Sequence, residues 1–246
     1  MLWLGLAAVT FLGQVADALI DKAQKDGLGA LEWSYLQIPA GADKEAARIC
    51  QKAKEAGIVS VSYRTDFSVW KQEAAAFLPV LETAEALGTD TVVLEVKLNL
   101  TEAEISEAII GFASRTKVLA KMAAEKNMKI CLAYRQEVVF DDYIRVKQLM
   151  ETVDSENVFL NWQPKLTSSL IYNIYELKML LKYVQNVYIA CAEPEVLIES
   201  KDEWQQYMMV LADKDGRALL FKENESGALD TACALVKNWV TENYAG

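Results

Sequence analysis

Eight short apolar segments rich in β-branched residues recur along the chain about every 30 residues, and a segment with helical spacing of apolar residues follows each one. An open doubly wound sheet usually has fewer strands, so eight consecutive βα units that finish on a helix predict a closed (β/α)8 TIM barrel. We expect one barrel domain over residues 1–246. The eight predicted strands begin at Trp3, Ala30, Ile58, Thr91, Lys129, Asn157, Asn186 and Arg217.

The chain contains no histidine. This removes the commonest zinc ligand, the usual general base and every nucleophile arrangement that pairs histidine with serine or cysteine. A catalyst built from this sequence must use carboxylates, lysine, tyrosine or cysteine. The four cysteines are far apart and form no C-x-x-C pair, which predicts free buried thiols rather than disulfides.

The negative net charge restricts the classes of molecule that the chain is expected to bind. The chain has 35 acidic against 25 basic residues, a formal net charge of -10, whereas binding to nucleic acid needs clustered basic residues. Glycine-rich nucleotide-binding motifs do not follow any predicted strand. No segment is as long and apolar as a membrane span, and the apolar N-terminus lacks the basic residues of a secretory signal. We therefore expect a cytoplasmic protein without nucleic-acid or membrane partners; no pattern indicates an oligomeric state.

Alternation along the strands predicts which side chains face the barrel interior. In the third strand Ser60, Ser62 and Arg64 are predicted to point inward, while Val61 and Tyr63 pack on helices. In such barrels the carboxyl ends of the strands form the ligand-binding rim. The side chains predicted to contact a ligand there are Glu32, Arg64, Glu95, Lys97, Arg135, Gln163, Tyr188, Glu193 and Lys222, with Glu223 beside them.

So many ionisable groups near an apolar interior must either pair with one another or meet solvent and ligand, because burying an unpaired charge costs several kcal/mol. One interpretation is a structural ion-pair network that caps the barrel. The other is a binding site for a small molecule with a carboxylate or phosphate and several hydroxyls, since arginine and lysine bind such anions.

Several stretches carry a resemblance to a known family. The eight-unit order and the sequences GALEWSY, ALGTDTVVLEV, LAKMAAEKNMKICLAYR, SENVFLNWQP and FKEN resemble sugar phosphate isomerases/epimerases of the xylose isomerase-like TIM-barrel superfamily. The resemblance spans nearly the whole chain and is one of pattern rather than of invariant motifs. It implies a (β/α)8 barrel in which two glutamates move a proton between adjacent sugar carbons beside a divalent metal.

Most of the metal ligands that this resemblance implies are absent. The family places a Glu, an Asp, a His and a Glu at the ends of strands five to eight, where this chain has Ala133, Gln163, Tyr188 and Glu223. Only Glu223 keeps the residue type, and Glu32 resembles a carboxylate common on the second strand. Hard divalent cations need several converging anionic or carbonyl oxygens or imidazoles. We therefore expect no metal and no other cofactor.

Two hypotheses follow. The first is a metal-independent isomerase or epimerase of a sugar phosphate or sugar acid. In it Glu223 is the general base, Arg135 and Lys222 hold the anion, and Tyr188 or Glu95 assists as an acid. The alternative is a catalytically inactive barrel, a pseudoenzyme, that binds a carbohydrate or anionic small molecule or acts as a regulatory or structural subunit. A Schiff-base aldolase using Lys97 or Lys222 is less favoured, because neighbouring carboxylates would keep the lysine protonated.

Overall fold

The computed structural model describes residues 2–96, 104–134, 142–165, 167–191, 199–212, 218–223 and 229–244. Within these ranges strands and helices alternate. The strands are β1 Trp3–Ala7, β2 Ala30–Ser34, β3 Val59–Arg64, β4 Thr91–Val96, β5 Lys129–Tyr134, β6 Val158–Trp162, β7 Val184–Cys191 and β8 Ala218–Glu223. The α-helices are α1 Ala16–Lys25, α2 Asp43–Glu55, α3 Leu78–Ala86, α4 Ile105–Glu125, α5 Tyr143–Val153, α6 Leu170–Leu180, α7 Lys201–Leu211 and α8 Leu229–Tyr244.

The strands form a closed parallel barrel in chain order. Each strand pairs with the next, and β8 returns to pair with β1 in a register that places Trp3 opposite Ala218. Parallel neighbours need a crossover connection, which a helix supplies in each βα unit. The predicted (β/α)8 TIM barrel is therefore confirmed.

The apolar core has two parts, separated by the wall of the barrel. The larger part lies between strands and helices and includes Trp33 and Trp162, both fully buried. The smaller part lies inside the barrel and contains Val93, Cys131 and Tyr188 among others. In β4, β5 and β6 the residues divide between the two parts in the alternation that the sequence predicts.

The predicted alternation was wrong at the start of β3. The pairing of β2 with β3 shifts by one residue, so that Leu31 lies opposite Ser60 but Glu32 lies opposite Ser62. Such a bulge reverses the parity of the residues before it. Val61 consequently packs in the inner part of the core, and Ser60 accepts a hydrogen bond of 2.9 Å from the indole of Trp33.

The helices bury one face against the barrel and expose the other. In α1 the buried residues include Leu19, Ile20 and Ala23, at the spacing of one helix face. On the exposed side Arg48 of α2 donates to Asp17 of α1 at 2.6 Å. No helix in the part of the chain that the structure describes is long and apolar enough to cross a membrane.

The contact of β1 with β2 depends on a glycine. Gly5 pairs with Ala30, and a Cβ atom added at Gly5 would lie 2.4 Å from the carbonyl oxygen of Ala30. The obstacle is backbone in the barrel wall, so it cannot move aside as a flexible side chain would. Any larger residue must separate the two strands.

We expect Gly5→Ala to lower the free energy of unfolding by about 2 kcal/mol or more, because it overpacks the barrel wall. The control is Gly13→Ala, where φ is +76° and no atom lies within 4 Å of the added methyl. There only the left-handed backbone is penalised, by about 1 kcal/mol. Urea unfolding of both variants measures the difference. Equal midpoints for Gly5→Ala and the unaltered chain would contradict the close approach.

Candidate functional site

Five of the predicted site residues with described side chains lie in strands whose carboxyl ends form one end of the barrel, which we call the barrel mouth. Glu32 is in β2, Arg64 ends β3, Glu95 is in β4, Tyr188 is in β7 and Lys222 is in β8. Parallel strands in a closed barrel place all their carboxyl ends on the same side. The structure therefore brings these predicted residues together. Gln163, which directly follows β6, joins them through its contact with Lys222.

The side chains of the other four predicted site residues are not among the described ones. Lys97, Arg135 and Glu193 lie outside the described residues. Glu223 ends β8, where it pairs with Cys191 in the strand register, but its side chain is not among the described ones. The roles predicted for these four residues therefore stay predictions.

Glu32 is the centre of the mouth. Its side chain has no exposed surface, and its carboxylate accepts hydrogen bonds from Arg64 Nε at 3.0 Å and from Ser62 Oγ at 3.0 Å. Asn161 Nδ2 donates at 3.3 Å, and the hydroxyl of Tyr188 lies 3.0 and 2.9 Å from the two carboxylate oxygens. A carboxylate has about four acceptor positions, so these donors saturate it.

Arg64 supplies the charge that balances Glu32. Its guanidinium also donates to Glu95 Oε1 at 3.1 Å and to the hydroxyl of Tyr188. Burial alone would lower the pKa of Arg64, but the nearby Tyr188, Glu32 and Glu95 act in the opposite direction and raise the pKa above its usual value. Arg64 is therefore a permanent buried cation.

Tyr188 stays protonated within this network. Burial raises the pKa of its phenol well above the usual value, while the charge of Arg64 acts in the opposite direction. The hydroxyl donates to Glu32 and accepts from both Arg64 and Asn161. Because its proton lies in the bond to Glu32 and the residue is only 2 % exposed, this arrangement disfavours the predicted role of Tyr188 as a proton donor to a ligand.

Three further side chains complete the network and are missing from the predicted set. Ser62 and Asn161 donate to Glu32, and the thiol of Cys131 donates to Asn161 Oδ1 at 2.6 Å. Burial raises the pKa of the Cys131 thiol well above its usual value, which keeps it a donor. Inward parity at these positions is the sequence signal that could have found them. We call Glu32, Ser62, Arg64, Cys131, Asn161 and Tyr188 the central network.

Lys222 adds a second cation at the edge of the central network. Its ammonium donates to Gln163 Oε1 at 3.1 Å and lies 3.8 Å from the centre of the Tyr188 ring. The guanidinium carbon of Arg64 lies 5.4 Å from the same ring centre. Contacts of this kind contribute about 0.5–2 kcal/mol each. The phenol ring of Tyr188 thus contacts both cations, and Lys222 is the more exposed of the two.

The described side chains of the mouth do not fit a divalent metal. At the positions where the resemblance places metal ligands, Ala133 has only a methyl group and Tyr188 is a protonated phenol. The amide oxygen of Gln163 accepts a hydrogen bond from the Lys222 ammonium. Nowhere in the described ranges do three or more Cys, Asp or Glu side chains come together in a group that could hold a metal ion. Hard cations require several anionic or carbonyl oxygens that converge on one point, and these side chains do not supply them.

Solved structures with the same architecture confirm the fold. A xylose isomerase domain protein from Planctomyces limnophilus has 15% identity and a TM-score of 0.72, with 99% of this chain and 97% of that chain covered. A D-psicose 3-epimerase, solved in the presence of D-fructose, has 13% identity and a TM-score of 0.74, with coverage of 99% and 100%.

A third structure, a xylose isomerase-like TIM barrel protein from Mycobacterium smegmatis in complex with magnesium, has 12% identity and a TM-score of 0.73. The match covers 99% of this chain and 97% of that chain. No protein-family model and no curated protein sequence matches. The chain therefore has the xylose isomerase-like TIM-barrel fold that the resemblance implies.

We expect Glu32→Gln to lower the free energy of unfolding by about 3–5 kcal/mol, because it removes the charge that compensates buried Arg64. The matched control is Glu45→Gln, which removes the exposed partner of Arg48, 2.7 Å away. Exposed pairs contribute little, so this variant should unfold at nearly the original urea concentration. If the two variants had equal midpoints, the central network would not be the stabilising feature described here.

Proposed function

We propose that the protein acts without a metal ion on a small sugar acid or sugar phosphate, as an isomerase or epimerase. In this proposal the cations of the barrel mouth supply the positive charge that a metal ion supplies in related barrels. The observation that supports it most is the placement of Arg64 and Lys222 against the Tyr188 ring, at the end of the barrel where ligands of this fold bind.

Lys222 is the proposed contact for the anionic group of the ligand. Its side chain is half-buried, so its charge is less screened than that of a surface lysine. Gln163 accepts from Lys222 through its amide oxygen, which leaves its NH2 group as a neighbouring donor. Arg135, at the end of the fifth predicted strand, is the proposed second cation for the same group.

The proposed reaction is a proton transfer next to a carbonyl group. It needs a base that removes the carbon-bound proton and returns it, and a positive group that stabilises the negative oxygen formed in between. Glu223 is the proposed base because it ends β8 and keeps the residue type of the glutamate that the resemblance places there. Glu32 is unsuited to this task, since donors within the protein saturate its carboxylate.

A carbohydrate ligand is consistent with the structural neighbours, one of which is a D-psicose 3-epimerase solved with D-fructose. At 13% identity that likeness concerns the fold, so the class of ligand is taken from the charges and donors of the mouth. Those favour a polyhydroxylated anion over a neutral sugar, because Lys222 offers a positive charge to the ligand.

The saturation of Glu32 also favours a second candidate function. Glu32 resembles a carboxylate common on the second strand of the family, and here it is buried and fully hydrogen-bonded, as in a structural network. A barrel with such a mouth binds the same polyhydroxylated anion without turning it over, or serves as a regulatory or structural subunit. Binding and turnover must therefore be measured separately.

We expect D-gluconate and D-fructose 6-phosphate to bind in the presence of a metal chelator, as measured by calorimetry. Lys222→Gln should weaken both by about tenfold or more, because a charge-assisted hydrogen bond is lost. Lys44→Gln, on the exposed face of α2, is the control and should leave both affinities unchanged. Unchanged affinity in Lys222→Gln would remove Lys222 from the proposed site.

Turnover has its own test. With D-fructose 6-phosphate in D2O, the proposed isomerase or epimerase should exchange the carbon-bound hydrogen next to the carbonyl, which proton NMR detects. We expect Glu223→Gln to abolish exchange but retain binding, and Glu55→Gln, on the exposed end of α2, to behave like the unaltered chain. Binding without any exchange in the unaltered chain would favour the inactive barrel instead.

A further inference from the structure

A cavity of about 90 Å³ lies beside the central network, at the carboxyl end of β4. One side is formed by residues 65–70, which follow β3, and the others by Tyr35, Glu95 and Phe112. In the closed order of eight strands β4 and β8 are four positions apart, so the cavity and Lys222 lie on opposite sides of the barrel mouth.

The walls of this cavity are held in place by hydrogen bonds and ring contacts. The backbone of Phe67 donates to Thr65 Oγ1 at 3.1 Å, and the backbone of Ser68 donates to the Gln72 side chain at 2.7 Å. The ring of Phe67 packs on Phe77 with centroids 5.0 Å apart. Contacts within the protein therefore fix the loop after β3, as expected of a preformed site.

The cavity lining combines carboxylates with aromatic rings. Asp66 is exposed at the edge of the cavity, and Glu95 also lines the cavity. Arg64 of the central network donates to Glu95 Oε1. Tyr35 and Trp70 contribute ring surface, and none of the described residues that line the cavity carries a positive charge. Two carboxylates repel a phosphate or carboxylate, whereas they accept hydrogen bonds from hydroxyls, and aromatic rings pack against the C–H faces of sugars.

We infer that this cavity binds the uncharged, hydroxyl-bearing end of the ligand whose anionic end binds at Lys222, an inference that rests on the proposed function. The ligand then lies across the mouth from β8 to β4. A cavity of 150 Å³ can hold a benzene molecule, so this cavity has room for roughly two or three hydroxylated carbons. Discrimination between polyhydroxylated acids and other anions of the same length is assigned to Glu95 and Asp66.

Three acids of equal length and different far ends test this inference by calorimetry in the presence of a chelator. D-gluconate carries hydroxyls, hexanoate carries none, and 6-aminohexanoate carries an ammonium. We expect the unaltered chain to bind D-gluconate most tightly. Glu95→Gln should weaken D-gluconate about tenfold, through loss of a hydrogen bond to a charged acceptor, and change hexanoate less than twofold. Retained hexanoate binding also reports that this variant is folded.

A second pair of variants separates the cavity from general surface charge. Asp66→Asn should weaken D-gluconate by about threefold, a smaller effect because solvent screens this exposed carboxylate. Asp21→Asn, an exposed carboxylate on α1, is the matched control and should leave D-gluconate binding unchanged.

Each outcome bears on a different claim. Equal responses of D-gluconate and hexanoate to Glu95→Gln would overturn the hydroxyl subsite and leave the proposed function standing. Tightest binding of 6-aminohexanoate, weakened most by Glu95→Gln, would make the cavity an amine site and also overturn the inference. Failure of all three acids, and of D-fructose 6-phosphate, to bind the unaltered chain would overturn the proposed function and the inference together.

Discussion

The buried ion pair of Glu32 with Arg64 is the interaction on which the barrel mouth depends. Two charges without contact to water are stable only if each is paired and its other hydrogen-bonding positions are filled. Ser62, Asn161 and Tyr188 fill them, from strands as far apart in sequence as β3 and β7. The network thus ties several strands to one carboxylate, and removing one partner exposes the others to the full cost of burial.

This constraint also shapes the chemistry of the mouth. Glu32 and Glu95 are both bound by Arg64, and a further cation, Lys222, contacts the ring of Tyr188. In the proposed binding mode the anionic group of the ligand lies near β8 and its hydroxyls lie near β4. A mouth that presents bound carboxylates and ammonium groups differs from a metal centre, which needs several carboxylates or imidazoles converging on one point.

The architecture could be predicted from sequence because it depends on local patterns. Eight βα units specify the barrel, and alternation in β4 correctly places Glu95 on the inner face, where Arg64 binds it. The bulge in β3 could not be predicted, because it is a property of the pairing with β2 rather than of either sequence alone. Nor could the partners of Glu32, since Tyr188 is 156 residues away and contacts across a barrel depend on strand tilt and stagger.

The metal content of the folded protein tests the central claim most directly. The protein would be incubated with excess Mn²⁺, Zn²⁺ and Mg²⁺, passed through a desalting column and subjected to elemental analysis alongside D-gluconate binding. If cations of the chain supply the charge of the mouth, the metal should remain well below one equivalent and D-gluconate affinity should not depend on it. One retained equivalent, with ligand binding lost on chelation and restored by the metal, would contradict this account.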